Sequence, residues 1–349
     1  MNNLFRKEQL TRHFTAPVII VLLLLAAAPA AHAQTIKLAT LAPEGSAWMT
    51  DMRAGAAEIG ERTGGRVKFK FYGGGVQGND KQVLRKMRIG QLHGGAFTSS
   101  ALGEFQKSAV LYGMPMLFNN LEEAQFARSR MDNKLRALLE DAGYANFGFA
   151  GGGFAHIMSN RPIANLDDIQ GLKVWIPDGD RLAYGAIKAL GVSPVTMPLT
   201  DVLTGLQTEL IDTIMSPPNA AIVLQWNTGV SHVTELPLAY IFAMLVVDKK
   251  YFNRIQADDQ VIVREVMERV YRGFDQRGND DNEKAYKALL DNGMKSVSPD
   301  KGQVPEWQKA VWESNHRLAG EGVVDIKLLN EIECYIAAYR AGNQANGCN

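Results

Sequence analysis

Histidines, cysteines and paired acids are the residues of this chain that could ligate a metal or move a proton, and their spacing argues against both. His93, His156, His232 and His316 are scattered, with no ligand-like interval to one another or to a cysteine, so each reads as an ordinary fold residue. The acid pairs Asp167-Asp168 and Asp258-Asp259 stand where helices should start, which favours capping over paired-carboxylate glycoside chemistry. Gly73-Gly74-Gly75-Val76-Gln77-Gly78 satisfies G-x-G-x-x-G between a strand and a helix. The strand before it, however, alternates Lys68 and Lys70 with apolar residues, and the acid expected about 20 residues on is missing near Gly94 to Ser100, so a structural turn is expected instead. H-E-x-x-H, G-x-S-x-G and Walker patterns are absent, and lysines and arginines are not interleaved with aromatics as nucleic-acid binding requires. The expectation is a protein without cofactor, metal or nucleic-acid partner.

What remains is chemistry suited to holding a solute. Pro43-Glu44-Gly45-Ser46-Ala47-Trp48, Phe97-Thr98-Ser99-Ser100 and Ser216-Pro217-Pro218-Asn219 are polar loops at strand ends, where open α/β sheets place ligands, and none supplies a nucleophile with a base. In Gly171-Leu172-Lys173-Val174-Trp175-Ile176-Pro177, alternation puts Val174 and Ile176 on one face and Lys173 and Trp175 on the other. A cleft is therefore expected in which Glu44, Ser46 and Trp48, with Thr98, Ser99 and Ser100, face Trp175, Leu199 and Ser216. Indole would offer one N–H donor and a broad apolar face. Asp178, Asp180 and Asp201 are expected to cap helices, although an acid beside Trp175 could recognise a cation.

Those loops need strands and helices to hold them. Ile36, Leu38 and Thr40 alternate with Lys37 and Ala39, a helical stretch follows from about residue 46 to 62, and V-K-F-K-F-Y at 67–72 reads as a strand. Helices are expected near 79–91, 121–142, 180–190, 199–209 and 218–227, with strands near 93–98, 144–150, 154–159, 193–197 and 240–247. Such alternation favours an α/β fold with helices on both sheet faces. From Asp258 to Asn292 there is no proline, and Val263, Val266, Met267, Val270 and Phe274 recur at helical spacing. About 35 residues would make a rod roughly 50 Å long, enough to lie across two domains. Gly278 in its polar centre leaves a kink or two shorter helices open.

The chain has 349 residues and balances 37 bases against 37 acids. Arg6, Lys7 and Arg12 precede an apolar run from Val18 to Ala28, and Ala31-His32-Ala33 supplies a small-x-small cleavage pattern. Cleavage after Ala33 is expected to release a periplasmic protein beginning at Gln34, with a formal charge of about −2. Neither a lipid anchor nor a second long apolar segment is indicated. Cys334 and Cys348, in an oxidising compartment, either pair or remain free thiols.

The mature chain resembles the DctP-type solute-binding proteins of tripartite ATP-independent periplasmic (TRAP) transporters. The resemblance is carried by "TIKLATLAPEGSAW", "GGGVQGNDKQVLRKMRIGQL", "FTSSALG", "YGMPMLF", "SNRPIANLDDIQGLKVWIP" and "GVSPVTMPLTDVLTGLQTELIDT", in that order and followed by the long helix. It implies a two-lobed periplasmic binding protein fold with two crossing strands, near 154–159 and 240–247, and a long hinge-spanning helix. After a signal peptide at 1–33, the first lobe would comprise 34–153 plus 242–281 and the second 154–241 plus 282–349. It implies capture of a small organic solute, by a monomer, for delivery to a small and a large membrane subunit. Alternatives are a binding protein serving a sensor or efflux-type assembly, or an exported hydrolase. In the family's GLK-x-R-x-P strand an arginine grips the substrate carboxylate, and here that place is Trp175. A second family arginine, six residues before Arg161, falls at Ala155, whereas Arg161 itself belongs to the SNRP turn and is expected to be structural.

Overall fold

The computed structural model describes residues 33–342 and 347–348, and the expected signal segment, apart from its last residue Ala33, lies outside the described residues. No described helix is long and apolar enough to cross a membrane.

Among the described residues eleven strands build the frame: β1 Gln34–Thr40, β2 Val67–Tyr72, β3 Gly94–Thr98, β4 Tyr144–Asn146, β5 Ala150–Ser159, β6 Trp175–Pro177, β7 Val195–Met197, β8 Thr213–Ser216, β9 His232–Thr234, β10 Ala239–Asp248 and β11 Lys295–Val297. β1 pairs in parallel with β2 and β3, as strands joined by crossover helices must. The first crossover helix, Ala47–Arg62, starts where the Ser46 hydroxyl accepts from the Met49 amide. The second, Asp80–Arg88, starts at a reciprocal Asn79–Gln82 capping box. The path through the main sheet is β11-β9-β5-β10-β3-β1-β2, with β4 on β10 and β8 on β5, while β6 and β7 form a separate pair.

β5 and β10 hold the two halves of this sheet together. They pair antiparallel from Ala155↔Ala239 to Ala150↔Ala243, with a bulge at Ile241/Phe242. Beyond that shared stretch β5 continues against β8, and β10 against β3 and β4. These are the crossing strands expected from the sequence, with one difference. β5 runs unbroken through Gly151-Gly152-Gly153, where two strands separated by a gap were expected. Gly153 is needed because the long helix lies against it: it has φ +83°, and the space over it is filled by the Asn282 amide, while the space over Gly151 is filled first by the Tyr240 hydroxyl of β10.

That helix is one continuous element, Ala257–Asp291. Its first half buries Val263, Val266, Met267 and Phe274 against Ile36, Leu38 and Met52, and Leu289 in its second half joins a different core with Ile214, Val233 and Trp226. Gly278 does not kink it. A Cβ there would lie 2.2 Å from the Gly151 carbonyl, so the glycine serves close approach of helix to strand.

A charged network fixes the same crossing. The buried Arg128 guanidinium, on the helix Leu121–Asp141, donates to Asp275 of the long helix at 2.6 Å and to the Tyr240 hydroxyl of β10 at 2.9 Å. Asp275 also accepts the Gly151 amide at 2.9 Å, so one ion pair ties a helix, both crossing strands and the long helix.

Two C-terminal helices follow. Gln303–Gly320 packs on Arg181–Ala189. Ile326–Arg340 packs on Leu121–Asp141, where Arg340 clasps Glu123 with two 2.9 Å bonds. Cys334 and Cys348 form a disulfide with Cα atoms 5.5 Å apart, an ordinary separation for such a bridge.

Candidate functional site

The structure contains a continuous cavity of about 730 Å³ where the two halves of the sheet meet. Its centre is backbone and small side chains of the crossing strands, among them Gly152, Ala155, Ala239 and Ala243. Small residues follow from position: the strands must pass close to each other and to the long helix and still leave room.

Eight of the nine residues expected to form the cleft wall line this cavity: Ser46, Trp48, Thr98, Ser99, Ser100, Trp175, Leu199 and Ser216. Glu44 does not. Its exposed carboxylate holds Arg53 at 2.6 Å and accepts the Gly73 amide at 3.2 Å, and these contacts lower its pKa, the Arg53 bond most. A basic residue in the following helix outcompeted the cleft for this acid. The same contact fastens the Gly73–Gly78 turn, where Gly74, Gly75 and Gly78 have φ of +62°, +71° and +95°, so this is the structural turn expected.

Trp48 is half-buried and stacked on Phe274, with centroids 4.3 Å apart and planes 8° from parallel. Thr98 and Ser100 have their hydroxyls 3.4 Å apart, and Ser216 is buried with its hydroxyl donating to the Pro217 carbonyl. Trp175 contributes a wall but no donor. Its Nε1–H is 3.1 Å from the Met197 carbonyl across β6–β7, its ring meets Trp226 edge-on at 5.2 Å, and only 3% of its surface is exposed. The N–H that the sequence seemed to offer a solute is therefore already engaged.

Charge is sparse. Among the described lining residues there is no arginine, and the charged ones are Asp180, Asp281 and Lys284. Both places where the family resemblance implies a substrate-gripping arginine, 155 and 175, lie on the cavity and carry alanine and tryptophan. Arg161 is tied to the carbonyls of Asp168 and Gln170, as expected of a turn residue. Asp180 caps the helix Arg181–Ala189 by accepting the Ala183 amide at 2.9 Å. Burial raises its pKa, and bonds from the Ala183 and Leu182 amides pull the other way. Asp178 is not a cap: it pairs with Lys81. Asp201 caps nothing with its side chain, which accepts from Thr200 instead.

Sequence inspection missed much of the lining: Gly152 and Ile157 on β5, Ala220 and Trp226 around the helix Pro218–Val223, and Asp281 and Lys284 on the long helix. Membership of a crossing strand or a hinge-spanning helix was the available signal for most of them, because those elements pass the cleft wherever it opens.

Residues 38–319 match the family model described as bacterial extracellular solute-binding protein, family 7 (DctP). Among curated proteins, the C4-dicarboxylate-binding periplasmic protein DctP of Rhodobacter capsulatus is 25% identical over 73% of this chain and 76% of its own length. The sialic acid-binding periplasmic protein SiaP of Vibrio cholerae is 24% identical over 72% of this chain and 79% of its own. Among solved structures, the sugar acid binding protein of Advenella mimigardefordensis in complex with galactonate aligns with a TM-score of 0.79 at 19% identity, covering 88% of this chain and 98% of that one. A TRAP periplasmic solute-binding protein of Desulfovibrio salexigens with bound orotic acid aligns at 0.77 and 17% identity, over 87% and 99%. With a family model spanning most of the described residues and a mixed α/β frame shared with these structures, the chain belongs to bacterial extracellular solute-binding protein family 7, the DctP-type TRAP solute-binding proteins.

Proposed function

We propose that this member of the family captures a solute bulkier and more apolar than a C4-dicarboxylate, closing on it without chemical turnover. The observation that carries this reading is a cavity of about 730 Å³ with apolar walls and no arginine among its described lining. A small dianion in such a site would give up hydration without the charge-assisted bonds, typically about 1.5 to 3 kcal/mol each, that an arginine returns. Trp48, Trp175 and Trp226 offer apolar wall instead.

The rest of the proposed role follows the family. The chain is exported to the periplasm by cleavage after Ala33, acts as a monomer, and hands its solute to a small and a large TRAP membrane subunit. The relatives named above are periplasmic binding proteins, which supports the compartment. A thermal-shift screen of organic solutes on the mature protein tests the reading. A true ligand at a hundredfold excess over Kd should stabilise by about 2.7 kcal/mol and be recovered unaltered. Tightest binding by succinate-sized dianions would overturn the proposed solute class, and recovery of a chemically changed compound would overturn the binding role itself.

A further inference from the structure

The cavity does not stop at the cleft between the two halves. Val174, bridged to Thr213 in the extended segment just before β6, and Trp175, the first residue of β6, point to opposite faces, yet both line the cavity. They also belong to different cores: Trp175 packs with Met197 and Trp226, Val174 with Ile157, Ile187 and Val311. A single cavity touching both must pass the strand and enter the layer beneath it. On the far side, Ala183, Ala186, Ile187 and Leu190 fall at i, i+3, i+4 and i+7 of the helix Arg181–Ala189 and its C-cap, so one helical face forms the floor. The floor is apolar because it is the core-facing stripe of that helix, and it leaves room because two of its four positions are alanine.

The charge around this extension is one-sided. Asp180 stands on the cavity wall at the start of the same helix, with helix amides as its hydrogen-bond donors and no cation paired to it among the described residues. Lys284, the one cation among the described lining residues, is exposed and belongs to the long helix on the cleft side. An anionic group carried inward would meet a carboxyl without a cation to offset it.

We infer that the cavity holds a second, apolar subsite inside the second lobe, bounded by Ile157, Ile169, Val174, Ile187, Leu190 and Val311, which takes the alkyl or ring tail of an uncharged amphiphilic solute. The hydroxyl or amide head of that solute stays in the cleft, beside Ser99, Ser100 and Asn219. This inference rests on the capture role proposed above and adds to it the shape and charge of the ligand.

Calorimetry on the mature protein with 1-alkanols from butanol to octanol, and with the matching alkanoates, tests it. Affinity for the alcohols should rise about fourfold per methylene, the increment of burying one CH₂. The alkanoates should bind at least tenfold more weakly than the alcohols of equal length. Ala186→Leu, or Ala183→Leu if the first does not fold, should flatten the dependence on chain length, weakening octanol far more than butanol. Asp180→Asn keeps a capping side chain and should narrow the gap between alkanoates and alcohols. A flat length dependence in the wild type, while polar cleft-sized solutes bind, would overturn the subsite alone. Alkanoates binding more tightly than alcohols would overturn its charge preference. Failure of every compound in a broad screen to bind would overturn the capture role and the subsite with it.

Discussion

Lys81 Nζ lies 2.9 Å from both carboxylate oxygens of Asp178, joining the helix that follows the Gly73–Gly78 turn to the loop that follows β6. The first of these loops touches the second half again nearby, where a Cβ on Gly75 would lie 3.0 Å from the Thr200 methyl. Both contacts run from the first half of the chain to the second beside cavity-lining residues, Leu41 and Leu199 next to Gly75 and Thr200, and Pro177 next to Asp178.

The pair should therefore act on solute release rather than on folding. Its side chains are 46% and 42% exposed, so its worth is about 0.2 to 1 kcal/mol and falls with salt. Lys81→Met should raise the dissociation rate of a bound solute by up to about fivefold at low ionic strength, with the difference from wild type fading by about 0.5 M salt. Stopped-flow release of a fluorescent ligand checks this. Equal release rates at low salt would mean that the pair decorates the closed state without holding it.

Gly278 gives a sharper test, of stability. Alanine there would improve helix propensity by about 1 kcal/mol, but its Cβ would sit 2.2 Å from the carbonyl oxygen of Gly151 and 3.2 Å from its carbonyl carbon. These are backbone atoms with no flexible end to swing aside, so the steric cost should win. Gly278→Ala is expected to lose about 2 kcal/mol or more in denaturant unfolding. A neutral or stabilising result would show that helix and strand are not held in contact. Gly320, where an added methyl would meet nothing within 4 Å, is the matched control for the same substitution.

Gly278 also shows what the sequence could and could not reveal. Length, absence of proline and apolar spacing announced the helix from Asp258 onward, because those are local properties of one element. Whether Gly278 breaks the helix or lets it touch another element depends on Gly151, far away in the chain, and no local pattern reports that. The same division runs through the site. Alternation along Lys173–Ile176 was legible and named the strand, yet Val174, Trp175 and Ile176 are all buried, since Trp226 packs on the face that alternation gave to the cleft. Loops at strand ends were legible as lining because the α/β pattern fixes where strands end. The long helix and the crossing strands were legible as elements, but which of their residues face the cavity depends on how they cross.

Asp259 should make stability depend on pH. Its carboxylate is buried against Arg66 through bonds of 2.9 and 2.7 Å, and the Arg66 hydrogen bonds lower its pKa from the ordinary 3.8. A carboxylate with a depressed folded-state pKa adds stability above its unfolded value, and that contribution is lost as the pH falls through the folded one. Wild type should exceed Asp259→Asn by about 1 kcal/mol near neutrality, because Arg66 remains partly in solvent, and the gap should close as the pH drops below about 4. Urea unfolding of both proteins across that range decides it. A gap independent of pH would assign the effect to packing rather than to the ion pair.

Trp175 carries two roles that substitution can separate. Its ring is buried against Trp226 and its Nε1–H satisfies the Met197 carbonyl, while one side of it lines the cavity. Trp175→Phe keeps an aromatic wall and deletes the donor, but the Met197 carbonyl still accepts the Asp178 amide at 3.2 Å, so the loss should be that of one hydrogen bond, about 0.5 to 1.5 kcal/mol. Trp175→Ala should cost about 3 to 5 kcal/mol, as for a lost core aromatic. Solute affinity should follow a different order: nearly unchanged in Trp175→Phe if the ring serves only as wall, and reduced in Trp175→Ala. Trp175→Arg restores the family's clamp in name, but it places a cation among Met158, Val202 and Trp226, and should destabilise the fold without giving tight dicarboxylate binding. Tight succinate binding by a stable Trp175→Arg protein would show that this one position, and not the apolar walls around it, sets the choice of solute.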